Sequence, residues 1–131
     1  MITTIRILNL KLQSPNRRKG MTRGAAMAHA AHEARLVATA QLHVAAKALR
    51  RYGLPSSVRF VRVAPRRFDS DNCVMAFKPI RDGMCRALGF DDRAIVIAEA
   101  RPGVVATFEQ RAEGPLYAVE IVLTWAEAGT A

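Results

Sequence analysis

The sequence predicts a single α+β domain over residues 1–131, in which two main helices lie on one side of a mixed β-sheet. Segments with the periodicity of strands alternate with segments rich in helix formers, in the order β-α-β-α-β-β. A chain of 131 residues, 50% of them hydrophobic, also has the size and composition of one domain with one core. Intrinsic disorder is excluded by the same composition.

Three elements are predicted in the first half of the chain. Residues 6–12 alternate between apolar and polar side chains, which is the pattern of a half-buried strand. Residues 25–52 are dominated by alanine and other helix formers, and Gly53 follows them, so they predict one long helix. The β-branched residues of 58–63 predict the second strand.

A second helix and the later strands are predicted after residue 70. Apolar residues recur every three or four positions over 72–88, and Gly89 is placed to cap this helix. Pro79 lies inside the segment and predicts either a kink or a new helix start. The segments with strand character beyond it are 95–97, 104–110 and 117–125.

Charge is divided unevenly along the chain, whose formal net charge is +9. Residues 1–68 contain 14 Lys and Arg and a single acidic residue, Glu33, whereas residues 69–131 contain 6 Lys and Arg and 10 acidic residues. All five aspartates lie between residues 69 and 92. A basic surface beside one dense group of carboxylates is typical of enzymes that act on nucleic acids.

Two pairs of aspartates are candidate metal ligands: Asp69 with Asp71, and Asp91 with Asp92. Side chains two residues apart in an extended segment point the same way, so Asp69 and Asp71 could hold one hard cation such as Mg²⁺. Asn72 is expected to cap the helix that follows. Each pair alone is more often a helix cap or a solvated turn, but the confinement of all aspartates to one window favours a metal site. Composition therefore leaves the metal site and the structural role as equal alternatives.

Further candidates are single side chains on the predicted helices. Lys78 could stabilise a developing negative charge, although an exposed lysine on a helix is usually only solvated. His29, His32 and His43 would project from roughly one side of the long helix. The spacing of the first two permits metal binding, but surface or interface contacts are favoured for all three.

Basic residues form the candidate DNA-binding surface, because contacts to phosphates supply most of the affinity for nucleic acids. Most of them belong to an irregular loop before the long helix, and the rest follow the second strand. These residues are Arg17, Arg18, Lys19, Arg23, Arg66 and Arg67.

The two cysteines and the hydropathy pattern indicate the compartment. Cys73 and Cys85 lie twelve residues apart in a helical stretch, which opposes a disulfide, so we expect reduced and buried thiols. Charged and polar residues interrupt the N-terminal apolar run, and no window of about 20 apolar residues exists. The sequence therefore predicts a cytoplasmic protein without a membrane segment.

Residues 66–95 resemble the signature of the RusA family of Holliday-junction resolvases, which is frequent in prophages. The family pattern is Asp-x-Asp-Asn, then a lysine, then a helix with Asp-Gly or Asp-Ala, then Gly-hydrophobic-Asp-Asp. Several fixed residue types in one order over about two dozen positions make this motif specific. The matching residues are Asp69, Asp71 and Asn72; Lys78; Asp82 and Gly83; and Gly89, Phe90, Asp91 and Asp92.

The resemblance implies a role for each of these residue types. Asp69, Asp71 and Asp92 would be the essential metal-binding carboxylates, with Asp91 as a further candidate ligand, and Lys78 would be the catalytic lysine. It also implies Mg²⁺ as the cofactor, with Mn²⁺ as an alternative, four-way-junction DNA as the substrate and a homodimer as the assembly. The lysine lies farther from Asp-x-Asp-Asn here than in the best-known member.

The sequence therefore predicts a Mg²⁺-dependent, structure-selective endonuclease that resolves four-way junctions in DNA recombination and repair. Phosphodiester hydrolysis needs an activated water and neutralisation of the charge on the phosphate, and a site for one or two divalent metals supplies both. One alternative is a non-catalytic basic nucleic-acid-binding protein. Another is a less selective metal-dependent nuclease for branched DNA.

One distance within the motif constrains the assembly. A continuous helix over 72–88 would be about 24 Å long, which separates Asp71 from Asp92 too far to share one cation. Either the chain bends at Pro79 and doubles back, or a second subunit brings the acids together. Two symmetric cuts in a four-way junction also require two active sites, so a homodimer is expected.

Overall fold

The computed structural model describes residues 1–13, 23–39, 41–96 and 103–126. Its strands are β1 (Ile2–Leu8), β2 (Ser57–Val63), β3 (Ile95–Val96), β4 (Val104–Arg111) and β5 (Ala118–Thr124). Its helices are α1 (Arg23–Val37), α2 (Gln41–Tyr52), α3 (Ser70–Ala76) and α4 (Lys78–Leu88), and a 3-10 turn over Asp92–Ala94 precedes β3. The α+β class is confirmed, with each predicted helix divided in two.

The sheet has the order β1-β5-β2-β4-β3 and is mixed. Its central strand β2 pairs antiparallel with β5 and parallel with β4. The edge strand β1 pairs antiparallel with β5, and the other edge strand, β3, pairs parallel with β4. Apolar side chains from one face of the sheet form a continuous core with the helices, including Ile5, Phe60, Ala106, Ile121, Leu36, Ala45, Phe77 and Ile80.

The prediction of one helix over 25–52 is wrong, because the chain leaves the helix after Val37. The Thr39 hydroxyl donates to the carbonyl of Arg35 at 3.0 Å, and the Thr39 amide donates to Leu36 O. A threonine that bonds back to the preceding turn competes with the regular helical pattern and bends the backbone. His43 consequently lies on α2, whereas His29 and His32 lie on α1.

At Pro79 the chain begins a new helix, which is one of the two predicted outcomes. Phe77 ends α3 and directly precedes α4, with Pro79 in the first turn, where its missing N–H costs nothing. The Phe77 ring packs on Phe60 and Phe108 of the sheet, with centroid distances of 5.3 and 5.8 Å. Gly89 caps α4 in the left-handed conformation, φ 76°, as predicted.

Strand boundaries differ from the prediction mainly at the N-terminus. The predicted strand over 6–12 ends at Leu8, since Asn9 adopts a left-handed conformation with φ 58°. Leu10 and Leu12 are still buried, although they lie outside the strand. The later strands agree closely, except that Ile97 lies outside the described residues.

Charged side chains form ion pairs on the face of the sheet that is turned away from the main core. Arg6 pairs with Glu113 at 2.8 Å and with Glu120 at 3.6 Å, and Arg111 pairs with the same two carboxylates. Hydrogen bonds from Arg6 and Arg111 lower the pKa of Glu113. Exposed pairs of this kind stabilise a fold only slightly.

A small buried cluster lies on this face and consists of Val61, Val63 and Ala118, with Leu116 packed against it.

α1 crosses α4 closely at Gly83, which belongs to the stretch that resembles the RusA signature. A Cβ atom at this position would lie 3.1 Å from Glu33 Cα, 3.2 Å from Glu33 O and 3.2 Å from Leu36 Cδ2. The glycine therefore permits the approach of the two helices.

None of the described helices combines the length and the apolar character needed to cross a membrane.

We expect Gly83→Ala to lower the free energy of unfolding by about 1 kcal/mol, and Gly83→Leu by about 3 kcal/mol, because both crowd the backbone of α1. Chemical denaturation monitored by circular dichroism measures both values. Helix propensity alone predicts the opposite sign for alanine, a gain of about 1 kcal/mol. A stabilised alanine variant would therefore contradict the close helix crossing.

Candidate metal and DNA site

The motif acids lie at the two ends of the α3–α4 unit. Asp69 directly precedes α3 with φ −60° and ψ 152°, and Asp71 lies in the first turn of that helix. The predicted extended arrangement of the two is therefore wrong, because only Asp69 is outside the helix. Asn72 also lies inside α3 and does not occupy the cap position.

The side chain of Asp69 is not used by the helix that it precedes. Asp69 occupies the N-cap position, but its carboxylate accepts no capping hydrogen bond. Both Asp69 and Asp71 are exposed. In the described part of the chain neither forms an ion pair. The structural role considered for Asp69, a side-chain cap, is thus absent from this structure.

At the other end of the unit, Asp91 and Asp92 have different surroundings. The Asp91 carboxylate accepts hydrogen bonds from the backbone N–H of Arg93 at 2.9 Å and from its guanidinium at 2.7 Å. These bonds hold the pKa of Asp91 well below its usual range. Asp92 begins the 3-10 turn and forms no ion pair with any residue that the structure describes. Of the two neighbours, Asp91 is therefore the one committed to local structure.

Lys78 and the second pair of aspartates line one surface depression beside α1 and α4, here called the acidic depression. It is lined by His29, Glu33, Lys78, Asp82, Cys85, Arg86, Phe90, Asp91 and Asp92. The motif lysine, which begins α4, and the motif acids that follow α4 thus face the same solvent space. Sequence spacing alone does not predict this, because Asp91 lies thirteen positions after Lys78.

A chain of polar contacts between side chains connects the walls of the acidic depression. Lys78 Nζ lies 3.2 Å from Asp82 Oδ2, which lies 3.2 Å from His29 Nε2. His29 Nε2 is also 3.3 Å from Glu33 Oε2, and Arg86 pairs with the other oxygen of that carboxylate at 3.2 Å. The ammonium of Lys78 is therefore held by a carboxylate, but its side chain remains 61% exposed.

Asp69 and Asp71 do not join this group. Over residues 1–13, 23–39, 41–96 and 103–126, no three His, Cys, Asp or Glu side chains lie close enough together to hold a metal ion. The new helix start at Pro79 thus does not fold the two ends of the unit onto one another. The oxygen donors suit Mg²⁺ in kind, but one described chain does not gather Asp69, Asp71 and Asp92 around one position.

The loop that presents Asp69 is anchored from the sheet by Arg62 and Gln110, which are neighbours in the parallel pairing of β2 with β4. The Gln110 amide accepts from the backbone N–H of Phe68 at 2.7 Å and donates to Phe68 O at 2.8 Å. Arg62 Nη1 donates to Arg66 O at 2.7 Å and to Gln110 Oε1 at 3.1 Å. The Arg62 guanidinium also stacks 3.5 Å from the centre of the Phe68 ring.

Of the predicted DNA-binding residues, only two have described side chains. Arg66 and Arg67 are exposed in the loop before Asp69, so their charges lie beside the first motif acid. Arg17, Arg18 and Lys19 lie outside the described residues. Arg23 begins α1, and of this residue only the backbone is described.

Sequence reasoning missed the polar side chains that support the site. Glu33 is the only acid in the first 68 residues and stands four positions after His29, which is the spacing of a helical pair. Arg62 falls on the same face of β2 as the buried residues Val58 and Phe60. A charged residue at a buried strand position was the signal for the loop anchor.

Cys73 and Cys85 are free and buried, as predicted. Burial, with a further contribution from the neighbouring carboxylates Asp92 and Asp82, raises the pKa of Cys85 to about 12. The Cys85 thiol therefore stays protonated at neutral pH, although it lines the acidic depression. This protonation opposes a role as a metal ligand, since the thiolate is the form that binds metals.

We expect Arg93→Met to return the pKa of Asp91 toward its ordinary value of 3.8, because the substitution removes the guanidinium and keeps an apolar stem. Since folding depresses this pKa, the pair stabilises the fold above about pH 4, and its contribution is lost as the pH falls toward the folded-state value. A carboxyl-carbon NMR titration measures the pKa. An unchanged pKa of Asp91 in the variant would contradict the conclusion that the Arg93 guanidinium lowers it.

Comparison with known proteins does not identify the chain: neither a protein-family model nor a curated protein matches it. The interpretation of the site therefore rests on the order of residues in the motif and on the geometry described above.

Proposed function

We propose that this protein is a Mg²⁺-dependent endonuclease that cuts branched DNA, with four-way junctions as its main substrate. One observation carries the proposal. Asp92 and Lys78 line the same depression, and Asp92 forms no ion pair with any of the described residues. The motif assigns the essential third acid to this second member of the pair, and Arg93 engages the first member.

The exposed carboxylates at the other end of the α3–α4 unit support the same proposal. Asp69 and Asp71 neither cap nor pair in the described structure, so both remain available as oxygen ligands. Mg²⁺ held by Asp69, Asp71 and Asp92 would activate water and neutralise charge on the scissile phosphate. The positive charge of Lys78 would stabilise the same phosphate, while Arg66 and Arg67 bind the DNA backbone beside it.

A second subunit accounts for the separation of the acids. One described chain does not bring Asp69 and Asp71 to Asp92. In a homodimer with two-fold symmetry, Asp92 of one subunit approaches Asp69 and Asp71 of the other, and the two resulting sites match the two cuts of junction resolution. The compartment we propose is the cytoplasm, where the buried thiols remain reduced.

The two alternatives are a non-catalytic nucleic-acid-binding protein and a nuclease without junction preference. A labelled four-way junction, a flap and a linear duplex, each incubated with and without Mg²⁺, distinguish all three functions. We expect Mg²⁺-dependent cleavage of the junction above that of the flap and the duplex. Binding without cleavage would establish the first alternative, and equal cleavage of junction and flap would establish the second.

We expect Asp71→Asn to reduce junction cleavage by at least about 100-fold while junction binding is retained or tightened, because a negative charge near phosphate is removed. Asp91→Asn is the matched control, since it makes the same change at a carboxylate engaged by Arg93. Its loss of cleavage should be much smaller. Near-normal cleavage by Asp71→Asn would exclude that acid from the metal site.

We expect Asp69→Asn and Asp92→Asn to complement each other when the two inactive proteins are mixed. In a hybrid dimer, one of the two shared sites contains both substitutions and the other contains neither. Part of the wild-type rate therefore returns. Cleavage assays on mixtures, with light scattering to confirm dimers, make the measurement. Confirmed hybrid dimers without recovery would place both acids in one chain, and an active monomer would exclude the dimer.

A further inference from the structure

We propose that Arg62 and Gln110 are positioning residues that hold the loop over Arg66–Phe68 in place, and thereby set the position of Asp69. The inference rests on the proposed function, in that Asp69 is taken as a metal ligand. It assigns a role to two side chains of the sheet that lie outside the motif.

The first argument is the burial of a cation without an acidic partner. Arg62 is only 5% exposed, and it forms no ion pair with a carboxylate among the described residues. Burial lowers its pKa, and its Nε atom is buried without a hydrogen-bond partner. A buried charge of this kind reduces stability compared with an apolar side chain of similar volume. Stability of the core therefore does not explain why arginine stands here.

The contacts of Arg62 supply an explanation. Its guanidinium donates to Arg66 O at 2.7 Å and covers the ring of Phe68 at 3.5 Å, so it contacts both ends of the segment before Asp69. An apolar residue at this position could fill the space but could not bond the loop carbonyl. The planar guanidinium provides the stacking face and the donors at once.

Gln110 completes the anchor from the neighbouring strand. Its side-chain amide binds both the N–H and the C=O of Phe68, as an adjacent strand would, and its oxygen also accepts from Arg62. Phe68 is the residue directly before Asp69. Two hydrogen bonds at that residue restrict the backbone that carries the carboxylate, and outer residues of this kind commonly orient metal ligands.

Substitutions can therefore remove the hydrogen bonds that order the loop while the apolar volume in the core is kept. Arg62→Met keeps an unbranched stem in the core and removes the hydrogen bond and the cationic stacking that the guanidinium makes with the loop. Gln110→Leu removes the amide from the other side and keeps a similar volume. Arg59→Met is the matched control, because Arg59 lies on the same strand, is exposed and pairs only with Glu109 at 3.7 Å within the described chain.

Amide hydrogen exchange and Mn²⁺ titration test the proposal without DNA and without cleavage. In Arg62→Met and in Gln110→Leu, the Phe68 amide should exchange about tenfold faster than in the wild type, since its hydrogen bond is lost or weakened. The Mn²⁺ dissociation constant, measured by electron paramagnetic resonance of the free ion, should rise by about tenfold. Arg59→Met should change neither, and thermal unfolding should remain cooperative in all three.

Each result decides one of the two ideas. Unchanged exchange at Phe68 in either folded variant would overturn the anchor. Faster exchange with an unchanged Mn²⁺ dissociation constant would overturn its positioning role, as would a wild-type protein that binds no Mn²⁺. A wild-type protein that binds Mn²⁺ but cuts no branched DNA with Mg²⁺ would overturn the proposed endonuclease alone, because the two readouts of the anchor need no cleavage.

Discussion

The packing of three aromatic rings fixes the α3–α4 unit to the sheet. Phe77 ends α3 and directly precedes α4, and its ring contacts Phe60 of β2 and Phe108 of β4, whose own centroids lie 5.4 Å apart. Phe60 and Phe77 are buried in the main core and the partly buried Phe108 packs against it, so together they bury a large apolar area at one point. Every motif acid lies on this unit or directly beside it. The packing of Phe77 therefore determines where both groups of carboxylates stand relative to the sheet.

The parallel pairing of β2 with β4 adds a second constraint at the same place. In its register Phe60 lies beside Phe108, and two residues later Arg62 lies beside Gln110. The first pair supports the junction of the two helices, and the second pair binds the loop that leads into α3. Two adjacent strands thus carry an apolar contact and a polar contact for one unit. The buried charge of Arg62 reduces stability, and the order it confers on the loop accounts for its presence.

The neighbours Asp91 and Asp92 show how local donors distinguish structural from available carboxylates. Arg93 stands two residues after Asp91, and its backbone N–H and guanidinium bond to that acid and not to the neighbouring Asp92. At the other end of the unit, Asp69 occupies a cap position, but its carboxylate accepts no capping hydrogen bond. The identity of an aspartate and its place near a helix end are therefore poor guides to its role. Its hydrogen bonds decide whether the carboxylate is free for a ligand.

The sequence by itself determined the fold class, the strands of the second half, an interruption of the helix at Pro79 and the cap at Gly89, because each depends on local periodicity or on the backbone restrictions of proline and glycine. That the interruption is a new helix start and not a kink was decided by the structure. It did not determine the break at Thr39, where a single hydroxyl bond competes with an otherwise strong helical pattern.

The tertiary structure alone decided which charged residues meet. Lys78 and Asp92 line the same surface depression, and Glu33 of α1 lines it as well because Gly83 allows the two helices to approach. Arg62 and Gln110 are 48 residues apart in the chain and meet through strand pairing. Contacts of this kind depend on packing between distant segments, and local periodicity carries no information about them.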